Sequence, residues 1–362
     1  MNDKLSDMNG KKMMFYLFAF FLLFFSACKH DELQVYKESD NYSNAADFVK
    51  NNYNFTLLYA ALKQVNLLEL LSKEGPYTLF APSNKAFNDL GIVRAGDFAT
   101  MNQDSLRMML QYHILPRVLY RNDVPVNTID NKYVNLAGKE LFVGYKYEKA
   151  CANCNVLADL YVNGALAPKV TQNTVLANGV LHLIDKVLKY QPNLQNVLSG
   201  RKEYSMFVTL LKRTGDWDRL ARPDFTTVFA PDNQAFEKAG ITKQQLENLD
   251  PASYHKRLSR VYLLYNHFFI SDMIIYGKQA GSGYYAGPFY RVPVVGDEDY
   301  YFAIASNPEM EPFIVEKRLV NGNRPLRKTN LQPGYRTDYK ADNGIIHGIT
   351  DLLVLPSEAK IN

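Results

Sequence analysis

The chain has 362 residues, with 41 lysines and arginines against 37 aspartates and glutamates and a formal net charge of +4. So even a balance leaves no basic stripe of the kind that nucleic-acid binding draws on. An apolar content of 47%, with 13% aromatic residues, places the body among packed globular proteins, and the length allows two domains of ordinary size.

Lys11 and Lys12 precede an uncharged run from Met13 to Phe25, and Ser26-Ala27-Cys28 follows. This reads as a signal peptide over 1–27, because the run is shorter than the roughly 20 residues a membrane-spanning helix needs. Phe25-Ser26-Ala27-Cys28 resembles a bacterial lipobox, although Phe25 stands where that pattern usually has an aliphatic residue. The resemblance implies acylation of Cys28, and several acyl chains on one residue give lasting attachment. A simple secreted start and an uncleaved signal anchor are the alternatives. Lys29-His30-Asp31-Glu32 is similar to the charged signal that sends Bacteroidetes-type lipoproteins to the outer face of the outer membrane; an ordinary solvated linker explains it equally well.

Residues 28–44 are polar and aperiodic, which predicts a tether. From Ala45 the apolar spacing becomes helical, through Phe48, Leu57, Leu58, Ala61, Leu62 and Val65, with an expected break near Asn51-Asn52 and a stop at Gly75-Pro76. Tyr77-Thr-Leu-Phe-Ala-Pro82 is a short strand that must end at its proline, and Ser83 is an N-cap for a short helix that folds Phe87 back onto it. Ser105 to Tyr112 has helical spacing and delivers Tyr112-His113. Between Arg117 and Leu176 the pattern alternates, with Gly138, Gly144 and Gly164 as punctuation and Asn163-Gly164 as a hairpin turn, which predicts an antiparallel meander. Asn178-Gly-Val-Leu-His182 supplies a turn and a central strand, and Pro192 marks a domain boundary.

Cys151 and Cys154 fall between two of the predicted strands. A zinc site would need further ligands, and a redox centre would need a helix start, so a small disulfide loop is the expectation, with free thiols next and a metal last.

The same order then repeats. Phe225-Thr-Thr-Val-Phe-Ala-Pro-Asp-Asn-Gln-Ala-Phe236 repeats the first box, Gly240-Ile241 repeats Gly91-Ile92, and Asn343-Gly-Ile-Ile-His347 repeats the closing box. Matching Pro82 with Pro231, His113 with His267 and His182 with His347 gives separations of 149, 154 and 165 residues. The growth predicts insertions in the second copy, which we place at 277–342.

These paired boxes resemble the fasciclin domain, a module of extracellular adhesion proteins. The resemblance covers roughly residues 45–356 and implies an α+β fold: two tandem fasciclin-like domains, 45–190 and 191–356, each a β core with helices packed on one side. In fasciclin domains of animal matrix proteins a Tyr-His at this position is implicated in integrin binding, which nominates Tyr112 and His113. The competing role is structural, since a histidine between apolar residues is most often a core residue satisfied by a carbonyl. His182 and His347, recurring in one context, are expected to fix strands by buried hydrogen bonds.

Asp216-Trp217-Asp218 could be taken for a sugar-hydrolysing acid pair, but sequence neighbours carry no assurance of the required separation, and a capped turn is expected. The 277–342 segment is rich in aromatics and arginines. Its glycine-rich tip, with Tyr284, Tyr285, Phe289, Tyr290 and Arg291, is the candidate ligand surface, against the alternative that these aromatics fill a sheet. No catalytic motif, metal pair or phosphate loop emerges, so neither catalytic residues nor a cofactor nor a metal is expected. The reading is a noncatalytic, lipid-anchored outer-membrane protein facing the exterior, binding extracellular polysaccharide, matrix or a surface protein. The alternative is a structural or accessory subunit of an outer-membrane polysaccharide-uptake complex.

Overall fold

A computed structural model describes residues 42–149, 156–191, 193–222, 226–276, 290–304, 312–316, 326–331 and 336–361. Cys28, Cys151, Cys154, Tyr284, Tyr285 and Phe289 lie outside the described residues, and of Tyr290 and Arg291 only the backbone is described.

In the first domain, helices Ala45–Asn51, Thr56–Gln64 and Leu68–Ser72 lead to strand β1 (Tyr77–Pro82). The first break falls at Asn52, whose side chain accepts from the Asn54 amide. Ser83 accepts from the Ala86 amide and starts helix Asn84–Asn88, as the box predicts. Helix Gln103–Gln111 runs into β2 (Ile114–Leu115). The meander follows as β3 (Thr128–Val134), β4 (Glu140–Lys149), β5 (Val156–Val162) and β6 (Ala165–Ala167), and β7 (Thr174–Leu176) and β8 (Gly179–Ile184) close the domain. The turn before β8 is Ala177-Asn178, with Gly179 already in the strand.

The strands form two sheets, in orders β2-β1-β8-β7 and β3-β4-β5-β6. β1 and β8 pair in parallel, Tyr77 opposite Gly179 and Phe80 opposite His182. Alternate residues of β1 face opposite ways, so Leu79 and Ala81 pack with the helices while Phe80 packs with the meander. The domain is thus helices, central sheet and second sheet, in that order.

The second domain repeats the plan. Helices Leu194–Ser199 and Ser205–Thr214 precede β9 (Thr226–Pro231), and Asp232 caps helix Asn233–Lys238 through the Ala235 amide. Helices Lys243–Glu247 and Arg257–Arg260, β10 (Leu263–Leu264) and helix Ile270–Tyr276 follow. Next come β11 (Tyr290–Val294), β12 (Asp297–Ile304), β13 (Pro312–Glu316) and β14 (Arg327–Lys328), and then β15 (Tyr339–Ala341) and β16 (Gly344–Ile349). Sheet orders β10-β9-β16-β15 and β11-β12-β13-β14 match those of the first domain.

Two expectations change here. Most of 277–342 is the counterpart of the first meander and not an insertion, because β11–β14 take the place of β3–β6 in the same order. The His113–His267 match also fails. Leu79 faces Ile114 where Val228 faces Leu263, and Phe80 bonds the His113 carbonyl where Phe229 bonds that of Tyr262. The twin of His113 is therefore Tyr262. The sequence match followed a Leu-x-x-His pattern that is out of register with the backbone ladder.

Candidate functional site

The box residues turn inward in both copies. Asn84 accepts from the Leu57 amide and donates to the Tyr53 carbonyl, tying the box helix to its predecessor, and Asn233 does the same for the Met206 amide and Lys202 carbonyl. Asn178 accepts from the Ala45 amide and donates to the Leu71 and Lys73 carbonyls. Its twin Asn343 accepts from Leu194 and donates to Leu220 and Arg222. Sequence reasoning assigned Asn178 only to a turn; its recurrence before Gly in both copies was the available signal.

The histidines behave alike. His182 donates from Nε2 to the Leu119 carbonyl at 2.9 Å and accepts the Asn173 amide at Nδ1, while His347 donates to the Phe268 carbonyl at 2.8 Å and accepts the Asp338 amide. Burial lowers the pKa of His182 to about 4 and that of His347 in the same direction.

Tyr112 and His113 are each only 1% exposed, which leaves them no surface for a ligand. His113 donates from Nδ1 to the Met109 carbonyl and accepts the Leu188 amide at Nε2, both at 2.8 Å. Burial lowers its pKa to about 4. Tyr112 accepts from Asn163 at 2.8 Å and donates to the Glu140 carbonyl, and burial pushes its phenol upward. Asp216 is buried against Ser259 and Arg260, at 2.6 and 3.0 Å, while Asp218 is exposed, so the two acids flanking Trp217 do not face a common bond. Tyr290 and Arg291 lie in β11 opposite Ile304 and Ala303. Among the described residues no group of three or more His, Cys, Asp or Glu side chains could hold a metal ion.

What sequence reasoning missed is the seam between the domains. Phe142 of β4 packs on Phe269 and Ile345 of the second domain, and its ring lies 4.4 Å from the His267 imidazole. His267 Nδ1 reaches Asp130 of the first domain at 2.6 Å. Burial and the Lys340 and Lys132 ammoniums disfavour a charged His267, and the Asp130 carboxylate opposes them. Lys146 donates to the Ile275 carbonyl at 3.0 Å, and Lys139 and Tyr190 both reach Asp342, at 2.9 and 2.7 Å. Lys340 lies 5.5 Å from the Phe142 centroid, and burial lowers its pKa to about 8.

Two glycines make this approach possible. A Cβ on Gly144, in mid-strand, would meet Ile275 Cδ1 at 2.4 Å, and one on Gly164 would meet Asp338 Cγ at 2.6 Å. Asp338 accepts from the Ile270 amide and pairs with Lys186 across the seam at 3.3 Å. Such an arrangement holds two domains in one fixed relation, since buried polar groups must find their partners on the opposite face.

The fasciclin domain model matches residues 53–190 and 202–356. The chain belongs to the fasciclin family. It is 30% identical to human periostin over 203 residues, which is 55% of this chain and 21% of periostin. Protein sll1483 of Synechocystis is 30% identical over 154 residues, covering 41% of this chain and 75% of that protein. Human stabilin-1 is 25% identical over 308 residues, or 80% of this chain and 10% of stabilin-1. This fasciclin chain thus spans about a fifth or less of the two human relatives. Among solved structures, a domain pair from the insect cell adhesion molecule fasciclin I is similar at 19% identity and a TM-score of 0.37, covering 83% of this chain and 97% of that one. No helix among the described residues is long and apolar enough to cross a membrane.

Proposed function

We propose that this is a noncatalytic adhesion or ligand-binding protein of the cell surface, anchored by acylated Cys28 with both domains outside the outer membrane. The observation that carries the reading is the seam. An adhesive must transmit force between its anchor and its ligand, and two domains joined through Phe142, the Lys146–Ile275 hydrogen bond and the Lys186–Asp338 ion pair do so as one body, whereas a flexible linker would not. Family membership supports the reading. The ligand is an extracellular glycan, matrix component or surface protein, and the aromatic-rich sequence at 281–290 is one candidate contact.

Two experiments test this. Metabolic labelling with an alkyne fatty acid should mark the wild type and not Cys28→Ser, and an unlabelled wild type refutes the anchor. Cells displaying the full chain should retain a glycan array or matrix surface that non-displaying cells do not. A stoichiometric outer-membrane partner with no surface retention would replace adhesion with the accessory-subunit reading.

A further inference from the structure

The second domain carries an open groove of about 690 Å³. Helix Lys243–Glu247 and the turn after it form one wall, and Leu355, helix Pro356–Ala359 and Lys360 form the other. The floor is apolar, made by Ile241, Leu246, Leu249 and Tyr254.

Both walls are fixed from behind. Arg213 donates to the Leu249 carbonyl from Nε and Nη2 at 3.2 and 2.6 Å, and Thr242 and Gln245 close a capping box. Main-chain bonds from His255 to Ala359 and from Ile361 to Ser253, at 2.7 and 2.9 Å, hold the C-terminal wall to the floor. Such a site is set before a ligand arrives, so little ordering cost falls on binding.

The frame leaves three polar side chains of the lining unspent. The exposed side chains of Gln244, Asn248 and Ser357 make no hydrogen bond among the described residues. Charge is sparse in the lining, with Asp250 and Lys360 of opposite sign, so neither an anion nor a cation is favoured. Amides donate and accept together, which suits neighbouring hydroxyls, and the half-buried Tyr254 offers a flat apolar surface for C–H groups. The first domain lacks this chemistry. After Gly91-Ile92 and as far as Thr100 its exposed residues are Val93, Arg94, Ala95, Gly96, Ala99 and Thr100, with no side-chain amide among them, where the second domain after Gly240-Ile241 presents Gln244 and Asn248.

We propose that this groove binds a short stretch of neutral oligosaccharide, a proposal that rests on the adhesion reading and narrows it to one ligand class and one domain. The test uses the full chain in detergent, titrated calorimetrically with maltohexaose, cellohexaose, xylohexaose and mannohexaose, and with hexagalacturonate as the charged control. At least one neutral hexamer should bind about tenfold or more tightly than hexagalacturonate. The Gln244→Ala/Asn248→Ala variant should lose about tenfold in affinity with an unchanged melting temperature, and Asn248→Trp should block binding by filling the mouth. The proposal is overturned if no neutral hexamer binds at millimolar concentration, if the charged one is preferred, or if both variants bind as the wild type does. Neutral binding that survives both variants but is lost on deleting 281–290 sinks the groove and leaves the adhesion reading standing. Loss of surface retention by displaying cells sinks both.

Discussion

In the first domain His113 accepts the Leu188 amide at 2.8 Å, and in the second Tyr262 accepts the equivalent Leu353 amide at 3.0 Å. Leu67 and Leu110 are buried in the first helical core, while Asp216 and Ser259, at the same places in the second, hydrogen-bond at 2.6 Å with Arg260 alongside. Asn173 caps the Arg121 amide, and Asp338 caps that of Ile270. The side chain at each point is exchangeable provided that the amide, volume or charge left behind is satisfied by something else. The glycine at which the parallel central strands approach is not exchangeable, and both copies keep it, as Gly179 and Gly344.

The largest test of that division is Gly179→Ala beside Gly344→Ala. A Cβ would stand 1.9 Å from the Tyr77 carbonyl oxygen in one case and 2.0 Å from that of Thr226 in the other, inside the parallel pair at the centre of each domain. Each should cost about 3 kcal/mol or more, read as a fall in urea midpoint. A tolerated substitution in either copy would break the equivalence of the two frames.

Next in size is the buried charge. Asp216→Leu alone leaves Arg260 facing Ser259 without its carboxylate and should cost about 3 kcal/mol. The triple variant Asp216→Leu/Ser259→Leu/Arg260→Gln, which copies Leu67, Leu110 and Gln111, should return to within about 1 kcal/mol of the wild type. Chemical denaturation of both variants checks this, and a triple as unstable as the single would show that the second core has repacked beyond exchange.

Acid sensitivity sharpens the comparison further. His113 and His182 have pKa values lowered by burial from 6.5 to about 4, so above pH 6.5 both folded and unfolded chains leave them neutral. As pH falls from 6.5 toward 4 the unfolded chain takes up protons that the folded one refuses, and stability falls by up to about 3 kcal/mol for each histidine. His113→Tyr, copying Tyr262, should remove about one proton from the slope of stability against pH in that window. An unchanged slope would show that His113 does not titrate on unfolding.

The strands, caps and box helices were legible because their causes are local: a proline that stops β1, a serine or aspartate that caps the next helix, an alternation that marks the meander. The seam was not, because its causes sit in the other domain. Gly144 reads as punctuation until Ile275 is seen above it, and Asp130 and His267 share no motif, though they meet at 2.6 Å. His267 was misplaced for a related reason, since letters matched across copies do not carry backbone register. The groove escaped notice because Gln244 and Asn248 look like any exposed helix polar residues until the C-terminal wall stands opposite them.

The smallest expected effect lies at Asp338, where the copies differ by a single charge. Asp338→Asn copies Asn173 and keeps an oxygen for the Ile270 amide, so the cap survives and only the pair with Lys186 is lost. Lys186 is 31% exposed and can recover solvation when the carboxylate goes. The cost should therefore be about 1 kcal/mol or less. Lys186→Met should show a similar loss, and the double variant no more than either single, because both remove one interaction. Calorimetry on the full chain reads this directly. A single shared transition that splits in two on Asp338→Asn would mean that this ion pair dominates the coupling of the domains, and that Phe142 and the Lys146–Ile275 bond do not hold the seam without it.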